Sequence, residues 1–512
     1  MTILQLFIDS TFSDSESGNT RDIEYPADST IHLTAAEASS ADAERAIAAA
    51  RREFDSGQWR HTTVAHRGDI LRKVARRLLK DKETIARLET FDTGKTYAEC
   101  EMDVDDVASV FSYYADQATA SNGRVVDPSV PGISSKIVTE PVGVCVLITP
   151  WNYPLLQASW KVAPALLAGN SIILKPSELT PSTTHYLVKV LIEEGVEPAA
   201  VQLLLGAGAD IGPTLTESPD VDMVSFTGGL ETGRTIMKSA AGTVKRVALE
   251  LGGKNPNVIF ADADLPAAID NALTAVFLDS GQVCSAGARL VVEESIHDKV
   301  VDELVRRARE IRVGDPFDSA TETGSLISSE HRQKVHTYVE RAREQGATLL
   351  CGGEIPEGDL AKGYFYPPTI LDRCDQSMDC VHDESFGPVL TVETFSGDSD
   401  EEREKNAIAI ANDTIYGLAG AVWTADASRA ERVARQLRHG TIWINDYHPY
   451  VPHAEWGGMK QSGNGRELGP TGLAEYLEIK HIWHNTQPAV AGWFANSEDA
   501  SATAGEANSG DN

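Results

Sequence analysis

The stretch VGVCVLITPWNYPLLQASWKVAPALLAGNSIILKPSE, residues 142–178, decides the fold. Its apolar run at 142–149 lacks the polar alternation of a half-exposed strand and reads as a strand buried on both faces. A loop punctuated by Pro150 and Pro154 follows, then a helix ending at Gly169, then a second apolar strand at 171–174. Outward from there the alternation continues with a helix at about 183–194, a strand at 201–205, a glycine-rich turn, a helix, and a strand at 223–226. Strands alternating with helices across glycine turns imply parallel β-α-β units, hence an open α/β sheet. Beyond Gly253 a second α/β region begins, with a long helix at about 296–311, and runs to about Asp446. Upstream, segments 40–55, 64–90 and 104–118 carry apolar residues at helical spacing, and 133–140 is strand-like.

The 512 residues, 42% hydrophobic and 24% charged, suffice for two or three domains with cores of their own. A formal net charge of −31 argues against nucleic acid or an anionic membrane surface as partner, because both require clustered Lys and Arg. The acidic surface reads as solubility in a salty, halophilic interior, or as a general preference for acidic surfaces. The segment 1–9 lacks the basic start and long apolar core of a signal peptide, and no apolar run is long enough to span a membrane. Six cysteines without a CxxC pair or metal-ligand spacing point to a reducing cytoplasm and to no metal. Residues 496–512 have the composition of a disordered acidic tail.

Several segments carry chemistry. In GQVCSAGARL, 281–290, Cys284 reads as a nucleophile or as a buried packing thiol. Asn152, in a loop fixed by Pro150 and Pro154, suits an oxyanion hole or simply makes a turn. The turn at 206–212 follows a strand and opens a helix with GxGxxxG spacing, one residue longer than a dinucleotide fingerprint, so Gly208 and Gly212 suit a phosphate or a plain tight turn. Lys175, Ser177 and Glu178 fall at a strand's carboxyl end, where Glu178 would accept from a ribose hydroxyl and repel a 2′-phosphate. The alternative there is a helix start. Phe226-Thr227-Gly228-Gly229, with Thr232 beyond, is a second strand-to-helix turn suited to a pyrophosphate. Glu250-Leu251-Gly252-Gly253 places a carboxylate before two flexible glycines.

Taken together, ITPWNYP (148–154), KPSE (175–178), FTGG (226–229), ELGGKNP (250–256), GQVCSAGARL, ESFGPV (384–389) and GGMKQSGNGRELG (457–469) resemble the aldehyde dehydrogenase superfamily, in order and spacing, over nearly the whole chain. Within it, segments 151–170, 412–423 and 443–450 are most similar to the betaine-aldehyde dehydrogenases, particularly the microbial ones. The resemblance implies two Rossmann-like domains, one for NAD at 1–121 and 142–253 and a catalytic one at 254–456. An oligomerisation arm at 122–141 and 470–488 would make a homodimer or homotetramer. It implies that Cys284 attacks an aldehyde, that Asn152 holds the oxyanion, that Glu250 activates water to release a carboxylate, and that Glu467 relays protons or is a structural salt-bridge acid. Thr149, Pro150, Trp151, Leu251, Gly252, Glu384 and Phe386 would join the turns above in holding NAD.

For a trimethylammonium aldehyde, which has no N–H to recognise, aromatic faces are needed. The resemblance nominates Tyr153, Trp160 and Trp456, with Tyr450 and Tyr447 as further candidates; core packing is the other reading of Trp160. Two departures stand out. Leu278, beside Phe277, occupies a position that is tryptophan in plant relatives, and His453-Ala454-Glu455-Trp456 sets a carboxylate near the expected entrance. Aminoaldehydes, semialdehydes or a broad range of aldehydes are the alternative substrates, and a non-catalytic protein of this fold is the alternative of another class.

Overall fold

The computed structural model describes residues 3–119, 123–488 and 493–494. One compact unit lies within Met1–Ala120 and Pro141–Leu477. Its larger sheet has five parallel strands in the order Arg246–Leu251, Met223–Gly228, Val144–Ile148, Ser171–Lys175, Val201–Leu203. Short antiparallel strands close its edges: Gly463–Asn464 on one side, and Leu6–Ile8 with Thr11–Ser13 on the other. The chain leaves Val144–Ile148 toward Ser171–Lys175 and Val201–Leu203, then crosses back to Met223–Gly228. The order of the strands therefore reverses between Val144–Ile148 and Met223–Gly228, the place where open α/β sheets bind ligands beyond their carboxyl ends.

The 142–149 run behaves as its composition requires. Val144, Cys145, Val146 and Leu147 are fully buried, and every residue of the covering helix Pro154–Ala168 is buried, Lys161 included. Proline at its first position costs no hydrogen bond, and Gly169, at φ +98°, ends it in the left-handed conformation that only glycine adopts freely. A seven-stranded sheet in the same unit runs Thr348–Cys351, Thr369–Asp372, Val389–Phe395, Arg289–Glu293, Pro256–Ile259, Ala419–Trp423, Thr441–Ile444, parallel except at Thr348–Cys351.

Two helices differ from their sequence reading. The single helix expected at 64–90 is two, Val64–Lys80 and Lys82–Thr93, broken at Asp81. The Asp81 carboxylate accepts from Arg77 and from the Tyr186 hydroxyl, 2.8 Å away, and its backbone leaves helical geometry. The helix expected at 104–118 begins earlier, as Tyr97–Gln117, because Thr96 and Glu99 form a capping box.

A second unit falls within Ser121–Glu140 and Glu478–Asn512. Its three-stranded sheet runs Leu477–Asn485, Ile133–Pro141, Arg124–Val126. Val125 and Ile479 are 77% and 75% exposed there. Asn122 and the tail at 496–512 lie outside the described residues. Among the described residues, no helix is long and apolar enough to cross a membrane.

Candidate active site

Three adjacent strands of the larger sheet end level with one another, pairing Ile148 with Phe226, Thr227 with Glu250 and Gly228 with Leu251. Their carboxyl ends therefore deliver Pro150–Tyr153, Thr227–Gly229 and Glu250–Gly252 to one cavity, whose far wall is Cys284, Glu384 and Phe386. Residues 284, 250 and 152, far apart in sequence, are brought together in it.

The cysteine loop is held from several sides. Asp279, Ser280 and Gly281 are consecutive left-handed residues, with φ of 48°, 51° and 72°. A β-carbon at Gly281 would overlap the backbone of Gly387. Ser280 is pinned by Thr323 and by the Gly324 carbonyl at 2.8 Å. The Asn255 amide donates to the carbonyls of Cys284 and Ala286, both at 2.9 Å, and the Tyr447 hydroxyl donates to the Ser285 carbonyl at 2.9 Å. Tyr447, expected as a further aromatic candidate for the substrate, braces this loop through its hydroxyl.

Cys284 is half-buried, and the other five cysteines are buried. Burial, then the charges of Glu384 and Glu250, push its thiol up to about 12. The Asn152 side-chain amide points at the same loop, donating to the Gln282 carbonyl at 2.6 Å. Glu250 is 6% exposed, and neither carboxylate oxygen has a protein hydrogen-bond partner. Burial, then the charge of Glu467, hold it well above the usual carboxylate range. A β-carbon at Gly457, which sits at φ +152°, would come within 2.7 Å of the Glu250 carboxylate. Glu467 pairs with the fully buried Lys161, whose ammonium also reaches the Ser225 hydroxyl at 3.2 Å. Glu467 and Trp456 exchange backbone hydrogen bonds at 2.7 and 2.8 Å, tying the buried acid to an aromatic candidate.

The cleft has the features a dinucleotide needs. The Thr149 and Thr227 hydroxyls are buried without a partner, and β-carbons at Gly212 or Gly229 would meet nothing within 4 Å. Glu384 accepts from the Gly253 N–H at 2.9 Å, and burial raises its carboxyl to about 7. Phe386 is held at φ +53°, its ring edge-on to Trp151 at 5.2 Å. Lys175 is buried, donates to the Pro176 carbonyl at 3.1 Å and lies 3.9 Å from Glu178. A β-carbon at Gly208 would lie 3.9 Å from its ammonium, which puts the 206–212 turn and the KPSE segment at one sheet edge. Ser177 accepts from the Leu179 N–H at 3.3 Å within the KPSE turn. Phe226 is buried beneath Gly228, so only its backbone is on offer, and Thr232 is exposed on the helix Leu230–Ala240.

Trp160, Tyr450 and Trp456 form a triangle of edge-to-face contacts, with centroids 5.4, 5.9 and 6.2 Å apart. The Tyr450 hydroxyl donates to Asp106 at 2.9 Å. Tyr153 has a different neighbour, the Lys95 ammonium, 3.4 Å above its ring centre. Phe277 packs into the core, and exposed Glu455 accepts from the Thr471 hydroxyl at 2.9 Å.

The aldehyde dehydrogenase family model matches residues 12–482. The chain belongs to the aldehyde dehydrogenase family. It is 54% identical over 490 residues to a betaine aldehyde dehydrogenase of Bacillus subtilis, covering 96% of this chain and 99% of that one. It is 42% identical over 496 residues to a chloroplastic betaine aldehyde dehydrogenase of Beta vulgaris, covering 96% and 98%. A crystal structure of betaine aldehyde dehydrogenase from Staphylococcus aureus in complex with NAD+ superposes with a TM-score of 0.94 at 50% identity, over 96% of this chain and 97% of that one.

Three residues of this aldehyde dehydrogenase site went unread in the sequence. Asn255 lies inside ELGGKNP, and its clamp on the cysteine loop shows only once the two segments meet. His331 lines the cavity from the helix Ser329–Glu344 and donates from Nε2 to the Phe386 carbonyl at 2.6 Å; burial lowers it to about 4, so it acts as a neutral donor. Lys95 carries no motif signal at all.

Proposed function

We propose that this aldehyde dehydrogenase oxidises betaine aldehyde to glycine betaine with NAD+, in the cytoplasm. The observation that carries the proposal is that one compact unit holds both the Cys284, Glu250 and Asn152 cavity, lined also by Tyr153, and a triangle of three aromatic rings whose Trp456 exchanges backbone hydrogen bonds with Glu467. Such rings attract a quaternary ammonium through their faces, each contributing about 0.5–2 kcal/mol. The names of the relatives support the same substrate. Asp106 is engaged by the Tyr450 hydroxyl and Asp103 by Lys95, so neither is free to accept from an N–H, which favours a cation without N–H groups over an aminoaldehyde.

The cleft's orphaned hydroxyls and open glycines fit a dinucleotide, and Thr149, Lys175, Glu178, Gly229, Glu384 and Phe386 would hold it. When bound, NAD+ supplies the hydride acceptor. Cys284 gives up its thiol proton to water and the thiolate adds to the aldehyde carbon, giving a tetrahedral oxyanion. The Asn152 amide, released from the Gln282 carbonyl, and the Cys284 N–H stabilise it, an effect on the order of 3 kcal/mol per donor. Loss of hydride from that carbon leaves a thioester on Cys284. Glu250 then takes one proton from water, the water oxygen adds to the acyl carbon, and carboxylate separates from Cys284, whose sulfur takes the second proton. With both oxygens unpartnered, Glu250 is free to turn toward that water, and Glu467 with Lys161 offers the proton an onward path.

Unpaired cysteines throughout suit a reducing compartment, and the exposed apolar side chains of the second unit suit assembly into a homodimer or homotetramer. The test of substrate compares kcat/KM for betaine aldehyde with that for 3,3-dimethylbutanal, its uncharged equivalent in shape. The expected preference for the cation is tenfold or more, from about 1.4 kcal/mol of cation–π attraction. Equal values would rule out the aromatic triangle as a cation site.

A further inference from the structure

Lys95 lies in the short link between the helices Lys82–Thr93 and Tyr97–Gln117. Its direction is set by its neighbours. Gly94 turns left-handed at φ +75° to end the first helix, and Thr96 caps the second with Glu99. The side chain is thereby driven inward, and Lys95 is 1% exposed. Buried lysines are rare unless paired, and this one has three partners. Its ammonium lies 2.5 Å from Asp103, 3.5 Å from the Asn152 carbonyl and 3.4 Å above the centre of the Tyr153 ring. Burial opposes its charge, but Asp103, then Tyr153 and Asp279, outweigh that and keep it protonated.

We propose that Lys95 is a positioning residue for this chemistry. It anchors the backbone that carries the oxyanion donor, and it takes one face of Tyr153 out of play for a substrate cation. The first half follows from the contact with the Asn152 carbonyl. Asn152 must present its amide to within a few tenths of an ångström of the developing oxyanion, and a charged donor on its own carbonyl fixes that segment. The second half follows from the ring. An aromatic quadrupole already facing a fixed cation has less to offer a second one on its other face, and the two cations repel. Trp160, Tyr450 and Trp456 face no fixed cation among the described residues, so this competition is confined to Tyr153. This second half rests on the betaine-aldehyde reading. The first half holds for any aldehyde.

The test uses the full-length enzyme with two substitutions made together, Lys95→Met and Asp103→Asn, so that neither member of the ion pair is left without the other. With 3,3-dimethylbutanal, kcat is expected to fall about tenfold while the Kd for NAD+ stays as in the wild type, because only transition-state alignment is lost. The ratio of kcat/KM for betaine aldehyde over 3,3-dimethylbutanal is expected to rise about fivefold, within the roughly two- to thirtyfold range of one cation–π face. Lys95→Arg, which keeps the charge over the ring, is expected to hold the wild-type ratio while its bulkier head group lowers kcat. A kcat within twofold of wild type in either variant overturns the anchoring role. A ratio that is unchanged or lower in the neutral pair, or that rises in Lys95→Arg, overturns the role of the charge. Should the neutral pair fail to bind NAD+, Lys95→Arg decides alone by the same two readouts. A wild-type enzyme with no preference for betaine aldehyde would count against the substrate reading and leave the kcat comparison with the uncharged aldehyde standing.

Discussion

With its thiol raised to about 12 by burial and the charges of Glu384 and Glu250, Cys284 in the cofactor-free enzyme is almost wholly protonated. At pH 8 that leaves on the order of one thiolate in 10,000, against about one in four for an ordinary cysteine of pKa near 8.5. Glu384 is the first charge responsible, and its own carboxyl is raised to about 7. It is therefore neutral at pH 5.5, where it does not hold the thiol up, and charged at pH 8.5, where it does. Replacing it by Gln should lower the thiol by about one pKa unit above pH 8 and by nothing below pH 6, the scale of a like charge a few ångströms away. The assay is alkylation by iodoacetamide, an uncharged reagent, read by mass on the Cys284 peptide so that the five buried cysteines do not interfere. The rate for Glu384→Gln over wild type should be near one at pH 5.5 and about tenfold at pH 8.5. Wild-type alkylation that levels off with a midpoint near 8.5, or a ratio that does not change with pH, would refute this electrostatic reading of the site.

Glu250→Gln should lower steady-state turnover by about 10²–10⁴, the usual weight of a general base, while a burst near one NADH per active site survives. Stopped-flow absorbance separates the two, and loss of the burst would mean that Glu250 acts before the thioester. Lys161→Met should destabilise the protein by about 3–5 kcal/mol, because Glu467 is then left buried without its counter-charge. Adding Glu467→Leu should recover most of that in denaturant unfolding, and full stability in the single variant would show the pair to be dispensable.

The parallel sheet was legible in the 142–178 stretch because unbroken apolar runs between glycine and proline turns have few other uses. The site was legible where function sits at strand ends. Thr149 to Tyr153, Thr227 to Gly229 and Glu250 to Gly252 follow three such runs directly, and level strand registers bring them together. What stayed hidden depends on partners distant in sequence. The helix break at Asp81 needs Tyr186, and the clamp on the cysteine loop needs Asn255 and Tyr447. Tyr153 lines the cavity as its segment suggests, but nothing in that segment reveals Lys95 against its ring. Tyr450, a secondary candidate in the sequence, completes the aromatic triangle because Asp106 fixes its hydroxyl, a contact between segments some 340 residues apart.

The central claim, covalent catalysis by Cys284 on betaine aldehyde, is tested most directly by trapping the acyl-enzyme. Glu250→Gln would be mixed with NAD+ and betaine aldehyde, quenched in acid within the burst, and digested for mass spectrometry. The account predicts the Cys284 peptide heavier by one trimethylglycyl group, at a level matching the NADH formed, and the other cysteine peptides unchanged. NADH formed in the burst without that adduct on Cys284 would contradict it.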